Sequence, residues 1–474
     1  MKILKSFARY AAGSLGAVLI GLISTPILTS LVPTVEMGKY SMFTTIGALA
    51  SSVLYLGLDY AYVRYYNEEN ESVRPHLLNV CMRYSLLATI LCSVVLLLFW
   101  PTVSRLVIGE SSFYLAFLLA LYVISLVIDR FWMLRIRMAQ RAGAYSIINI
   151  LRKLVYLAVS VVLAYTVCKD ICWSLIIGIV ASEAIVLLSA RMVDRGDWYG
   201  RDCNLQVSVK QLFIYSFPFI FTTVIDMLLH STDKLMLKMF SDYHEVGIYA
   251  GAQSIVNIIS QLKLLFTTFW MPVAYEHFSK NPGDKEFFVR ANKLVAYIML
   301  TAMLALLCLK DAVVLFLGPA YRDAAYVFPC LAFMPVMYTV SETTVMGINF
   351  EKRTQYHVLV SVAASLANVI GNYFLVSLYG ARGAAISTGL SYVVFFAMRT
   401  WLANRLYPIP FAMGKFVLSS AMVCILAVVA CFKHVTFGFL LSAGVVFLII
   451  TLLYRDVIKQ IIQIGKRYFV ARKQ

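Results

Sequence analysis

Charge is scarce in this sequence. Asp, Glu, Lys and Arg together make up 14% of 474 residues, and only 24 residues are acidic. A soluble chain carries about 25% charged residues, so a soluble chain of this length would lack the polar surface its domains need. Twelve prolines and 24 glycines are too few for a collagen-like or low-complexity chain. The nine cysteines lie mostly inside apolar stretches, which excludes a disulfide scaffold. Cys168-x-x-x-Cys172 is better read as two small apolar residues than as a bridge. A phosphate-cradling G-x-x-x-x-G-K-[ST] loop is also missing. The Gly-Lys pairs at 38–39, 414–415 and 465–466 are never followed by Ser or Thr, so ATP drive is not expected. No cofactor motif or metal-ligand spacing stands out either. What fills the chain instead is apolar, at 61% hydrophobic residues. It reads as an all-α polytopic membrane protein.

A bilayer core takes about 20 mostly apolar residues per helix. Fourteen stretches qualify: 10–32, 39–58, 77–100, 113–134, 144–167, 172–190, 211–238, 247–270, 289–309, 324–350, 356–378, 381–402, 415–431 and 437–454. Lys2, Lys5 and Arg9 precede the first, which is longer than a signal-peptide core and has no small-residue cleavage site after it. Breakers such as Pro33, Pro101, Pro272, Gly318-Pro319 and Gly380 mark the gaps. Lys433-His434 is a very short punctuation between the last two, and twelve spans is the alternative count. With the N-terminus in the cytoplasm, 26 of the 41 Lys and Arg fall on cytoplasmic segments, 8 on the opposite side and 7 within spans. The cytoplasmic groups include Arg74; Arg135, Arg137 and Arg141; and Arg399, Arg405 and Lys415, whereas Lys310 falls outside. That asymmetry satisfies the positive-inside rule and places both termini in the cytoplasm. The net charge of +17 is spread in short clusters rather than a stripe, so nucleic acid is not an expected partner.

A repeat runs through the chain. Glu36-Met37-Gly38-Lys39-Tyr40 opens the second span, and Glu245-Val246-Gly247-Ile248-Tyr249 opens the eighth. The same offset of about 210 links Arg83 with Lys293, Ile108-Gly109 with Leu317-Gly318, and Arg141-x-x-x-Tyr145 with Lys352-x-x-x-Tyr356. The expected organisation is a six-helix repeat over 1–200, a second over 201–410, and two extra helices with a basic tail over 411–474. Six is even, so the repeats are parallel, a construction that carriers use to rock around a site at the repeat interface.

At these residues the chain resembles the polysaccharide-biosynthesis (Wzx-type oligosaccharide flippase) family of the MOP superfamily, which also holds MATE drug exporters and lipid II flippases. The likeness is carried by Glu36-x-Gly-x-Tyr40, Gly57-Leu58 with Arg64, Ser216-Phe217-Pro218, Asp233-Lys234 and Val246-Gly247-x-Tyr249. Asn368, Asn372 and Gly380-Ala381-Arg382-Gly383-Ala384-Ala385 extend it. The resemblance implies a MATE-like 6+6 bundle with a central cavity. It also implies transfer of undecaprenyl-diphosphate-linked oligosaccharide to the outer leaflet of a bacterial inner membrane, alongside polymerase and assembly proteins.

Ionisable residues at membrane depth are costly and usually face a cavity or a partner. Lys263, Lys234, Arg83, Lys293 and Arg64 are the candidate cations for a diphosphate substrate, since Lys offers a mobile charge and Arg a planar fork. Asp226, His230 and Asp233 fall at i, i+4 and i+7, one helical stripe that could couple transport to protons or sodium. Plainer roles stand beside these. Arg83 and Lys293 can snorkel, and Arg152 or Lys153 can pair with Glu183. Asp59 and Asp129-Arg130 read as interfacial helix ends. A MATE-type cation exporter fits less well, because the first span has no acid and the lysines would repel a cationic drug. A lipid II flippase is a nearer alternative. A membrane polymerase or glycosyltransferase is disfavoured by the short outer loops.

Overall fold

The computed structural model describes residues 16, 20–166, 171–193 and 205–459. Lys2, Lys5, Arg9, Cys168 and the tail after residue 459 lie outside the described residues. Every regular element among the described residues is helical. In chain order they are α1 (Ile20–Leu31), α2 (Thr34–Leu54), α3 (Leu58–Tyr65), α4 (Arg74–Leu98), α5 (Trp100–Ile108), α6 (Phe113–Met138), α7 (Ala142–Thr166) and α8 (Ile171–Val193). Then come α9 (Val209–Phe240), α10 (Tyr243–Lys280), α11 (Lys285–Cys308), α12 (Lys310–Val313), α13 (Phe328–Leu331), α14 (Phe333–Thr344), α15 (Met346–Phe350), α16 (Gln355–Leu406), α17 (Met413–Ala430) and α18 (Phe437–Leu453).

Local chemistry sets several boundaries. Ser112, Ser208, Asp284 and Thr436 each accept a hydrogen bond from the backbone three residues on, capping α6, α9, α11 and α18. At α9 the cap is reciprocal, because the Gln211 side chain also accepts from the Ser208 amide at 2.9 Å. Pro272, expected to end a span, instead lies inside α10. The tenth span is not one helix but α13, α14 and α15 in succession, bent by 56° from the turn before it.

Nine helices among the described residues are long and apolar enough to cross a membrane, and up to eleven if each of two bent pairs counts as one span. The chain is a multi-pass membrane protein. α16 has 52 residues, a length of about 78 Å at 1.5 Å per residue, more than twice a ~30 Å bilayer core. Gly380 breaks it, with φ 54° and ψ −131°, a conformation a side chain would strain. The two legs fold back on each other so closely that a Cβ on Gly383 would stand 2.0 Å from the Leu375 carbonyl oxygen. Asn368 donates to the Thr388 hydroxyl at 3.1 Å and Ser387 to the Asn368 carbonyl at 2.9 Å, holding the legs together. Counting the two legs separately, with α1 and α18 as spans, would give fourteen, the number we propose.

Packing divides the chain into two compact units, residues 1–250 and 251–474. In the first, Phe43, Leu77, Leu119 and Phe131 are among the buried core side chains. The two repeat landmarks meet inside this unit. A Cβ on Gly38 would lie 1.9 Å from the Tyr243 carbonyl oxygen, and one on Gly247 would lie 1.8 Å from that of Thr34. Thr34 and His244 add a 2.7 Å hydrogen bond at this crossing. Only glycine allows two helix starts to pass at backbone contact. In the second unit α17 and α18 pack on α11, and Lys415 donates to the Leu453 carbonyl at 2.9 Å.

Candidate functional site

Two clusters of charged groups between helices stand out, one in each unit. In the first, Arg152 of α7 reaches Asp129 of α6 at 2.6 Å and Glu183 of α8 at 3.7 Å. Both carboxylates are buried. The sequence left open whether Arg152 or Lys153 meets Glu183. It is Arg152, while the Lys153 ammonium stands 3.5 Å from where a Cβ on Gly21 would be. Beside this cluster, Arg130 donates through Nε and Nη2 to one oxygen of Asp59, at 3.0 and 2.7 Å. Asp59, in the first turn of α3, and Asp129, within α6, are thus both buried against a guanidinium. Burial of a carboxylate at these positions is sustained by a guanidinium from a neighbouring helix.

In the second unit Arg399 of α16 donates to Glu342 and to the Ser341 hydroxyl of α14, each at 2.7 Å. Arg399 is 6% exposed and Glu342 2%, so Arg399 is packed against α14 and is not a solvent-exposed cation. Arg399 lies within the expected stretch 381–402, on the second leg of α16. The Lys263 ammonium of α10 lies 4.1 Å from the centre of the Tyr338 ring, and the Arg399 guanidinium lies 5.2 Å from the same ring. Tyr338 stacks on Phe395 at 5.6 Å. Trp270 fixes the register by donating to the Glu342 carbonyl at 3.0 Å. Two cations, one carboxylate and a stacked aromatic pair thus share one place.

The other sequence-selected residues are distributed. Arg83 is exposed on α4, about 13 Å along the helix from Arg74. Arg64 is exposed at the end of α3 and pairs with Glu68. Lys293 of α11 holds Asp456, just beyond α18, at 2.8 Å. On α9, Asp226 and His230 are exposed and Lys234 half-buried. Asp233 is buried and accepts a hydrogen bond from the Tyr249 hydroxyl. Lys310, read as an outer-loop residue, is fully buried and donates to the Ala430 carbonyl at 2.7 Å, tying α12 to the end of α17. Sequence reasoning missed Arg399 and Lys310 because their partners lie 57 and 120 residues away.

A groove of about 970 Å³ runs between the second leg of α16 and α17. Leu390, Phe396, Phe416 and Ile425 line it, and Asn404 and Arg405 stand near the end of α16. The Arg405 guanidinium lies over the Trp401 ring at 4.1 Å. The groove offers an apolar channel with a cation at one end.

Comparisons with known proteins agree with this architecture. A lipid II flippase, MurJ, in an inward closed conformation superposes with a TM-score of 0.72 at 15% identity, covering 95% of this chain and 99% of that one. The MATE multidrug transporter DinF-BH gives 0.61 at 14% identity over 86% and 96%. An uncharacterized membrane protein of Methanocaldococcus jannaschii is 24% identical over 216 residues, 44% of this chain and 42% of that relative's length. The fold is therefore shared with the MOP superfamily. The sequence profile described as "Polysaccharide biosynthesis protein" matches residues 3–278, more than half of the 474 residues. The chain belongs to the polysaccharide biosynthesis protein family.

Proposed function

We propose that this protein is a flippase that moves undecaprenyl-diphosphate-linked oligosaccharide units across the inner membrane of a bacterium, for surface polysaccharide assembly. The observation that carries this reading is the cluster of Lys263 and Arg399 over Tyr338. With Glu342 these residues sum to a formal +1. A mobile ammonium and a fixed fork suit diphosphate oxygens, and the Tyr338–Phe395 stack offers a face for sugar rings. The groove along α16 and α17 suits a polyprenyl chain. Lys234, Arg83, Lys293 and Arg64 remain proposed contributors to positive potential along the path, Lys293 while also holding Asp456. Both termini are proposed to be cytoplasmic, and the repeats to span 1–200 and 201–410.

The test is a proteoliposome assay with purified lipid-linked glycan and pure full-length protein. Flipping in wild type, lost in Lys263→Glu and kept in Lys263→Arg, supports the reading. Polymerised glycan in those vesicles would overturn it in favour of an enzyme. A second reading concerns the energy source. Asp226 and His230 are exposed on the same helix as buried Asp233, an arrangement that supports uptake of a proton or sodium ion along α9. The alternative is transport drawn forward by consumption of the product.

A further inference from the structure

A second pocket, of about 460 Å³, lies where α3, the start of α4, the end of α6 and the turn into α7 meet. That volume falls within the ~300–1,000 Å³ range of ligand pockets. Tyr62 is buried in it, Arg74 and Arg135 are half-buried, and Glu71 and Arg141 are exposed at the rim. Among the described residues that line it are three guanidiniums and one carboxylate, a formal +2. The positive-inside assignment puts all three arginines at the cytoplasmic surface.

Arg74 is held in place. Its Nε donates to the carbonyls of Tyr66 at 2.9 Å and Glu69 at 3.3 Å, and its guanidinium lies 4.5 Å over the Tyr66 ring. A terminal nitrogen is 3.5 Å from Glu71, whose side chain is 90% exposed, a loose and solvent-screened contact. The loop that supplies those carbonyls is itself pinned. Buried Glu69 accepts from the amides of Gln206 at 2.9 Å and Val207 at 3.1 Å. Gln140, at φ 57°, turns the chain after α6, and the Arg141 amide closes that turn onto the Ile136 carbonyl at 3.2 Å. The N-terminus of α4 opens at the same place and adds partial positive charge. A surface arginine that only marks the cytoplasmic side needs neither a cavity nor a fixed plane.

We propose that this pocket binds the phosphate-bearing headgroup of a lipid at the membrane surface. A pre-set guanidinium plane with two further arginines matches phosphate oxygens and loses little freedom on binding. Two lipids carry that chemistry, an anionic phospholipid and a prenyl diphosphate. The proposal does not rest on transport, because binding alone tests it.

Full-length protein in detergent would be titrated with short-chain phosphatidylglycerol, geranyl diphosphate, inorganic phosphate and a diacylglycerol of matched chain length. We expect saturable binding of at least one of the first two, weakened roughly tenfold or more in Arg74→Gln/Arg141→Gln. Whichever lipid binds more tightly identifies the source. The single variant Glu71→Gln removes only a rim charge and should tighten binding by about twofold, which keeps the test readable if the arginine variants fold poorly. Inorganic phosphate binding as tightly as either lipid would overturn the lipid assignment. Equal binding of diacylglycerol, or an affinity indifferent to both variants, would overturn the site.

Discussion

The two units solve one problem in opposite ways. Each sets an arginine against buried carboxylates of neighbouring helices. In the first, Arg152 stands between two carboxylates, Asp129 and Glu183. In the second, Arg399 has one, Glu342, and shares the Tyr338 ring with Lys263. The first triad leans acidic and is built from three successive helices, whereas the second leans basic and joins α10, α14 and the second leg of α16. A buried ion pair is weak support for stability, and removing one partner is expensive. A cluster that holds an excess of one sign is therefore better placed to meet a counter-charge than to cement a fold. Under the proposed function, the excess cation of the second cluster would meet an anionic substrate.

Breaking the two arginines separately should expose this difference most strongly. Arg152→Ala strands two buried carboxylates and should cost about 3–5 kcal/mol, read as a large fall in melting temperature in detergent. Arg399→Ala strands one buried carboxylate, Glu342, so about half that loss is expected. Equal losses would refute the contrast. Next, Lys263→Glu should abolish glycan display while the amount of protein in the membrane is unchanged. Full display would reduce Lys263 to packing. A smaller effect is expected from a gradient. One proton moving down 100 mV supplies about 2.3 kcal/mol, a roughly fifty-fold bias. Asp226→Asn and Asp233→Asn should flatten the response of flipping to imposed pH or sodium gradients, and a wild type that ignores both gradients would end the coupling idea.

Topology can be compared across the units with reporters. Fusions after residues 70 and 200 in the first unit and 470 in the second should report cytoplasm, and one after 320 should report the outside. A C-terminal fusion reporting outside would refute fourteen spans. The smallest effect concerns the tie between Lys293 and Asp456. Burial raises the Asp456 carboxyl, but the Lys293 ammonium outweighs it and leaves the group below the usual carboxylate range. Such a depressed group contributes stability above its ordinary value, near ~3.9, and loses it as pH falls through the lowered one. Melting temperature should thus be flat from about pH 5 to 8 on account of this pair, and Asp456→Asn should cost no more than ~1 kcal/mol of stability.

Much of the fold was legible because spanning helices advertise themselves as apolar runs. The expected stretches carry helices wherever they are described. The Gly38 and Gly247 landmarks were visible as an offset of 209, and the crossing explains why small residues recur there. Asn368 and Asn372 were seen as motif residues, and Asn368 joins the legs of α16. Pairing was much less legible. Glu342 falls within the expected stretch 324–350, and Arg399 was grouped with the cytoplasmic cations, because hydropathy judges a residue by its neighbours in sequence. Its real neighbour lies on another helix. A rule that each buried acid demands a base from a nearby span would have found it.

The single-residue turn at Gly380 bears on how this protein is made. A helix, a loop and a second helix can enter a bilayer in steps, with water solvating the loop in between. The legs of α16 have no such loop, only one non-helical residue between them. They must enter the bilayer together, as a hairpin whose tip carries Arg382 resting on the Tyr326 ring at 4.5 Å. A longer, polar insertion at Gly380 would give that tip something to hydrate, and would turn one insertion event into two.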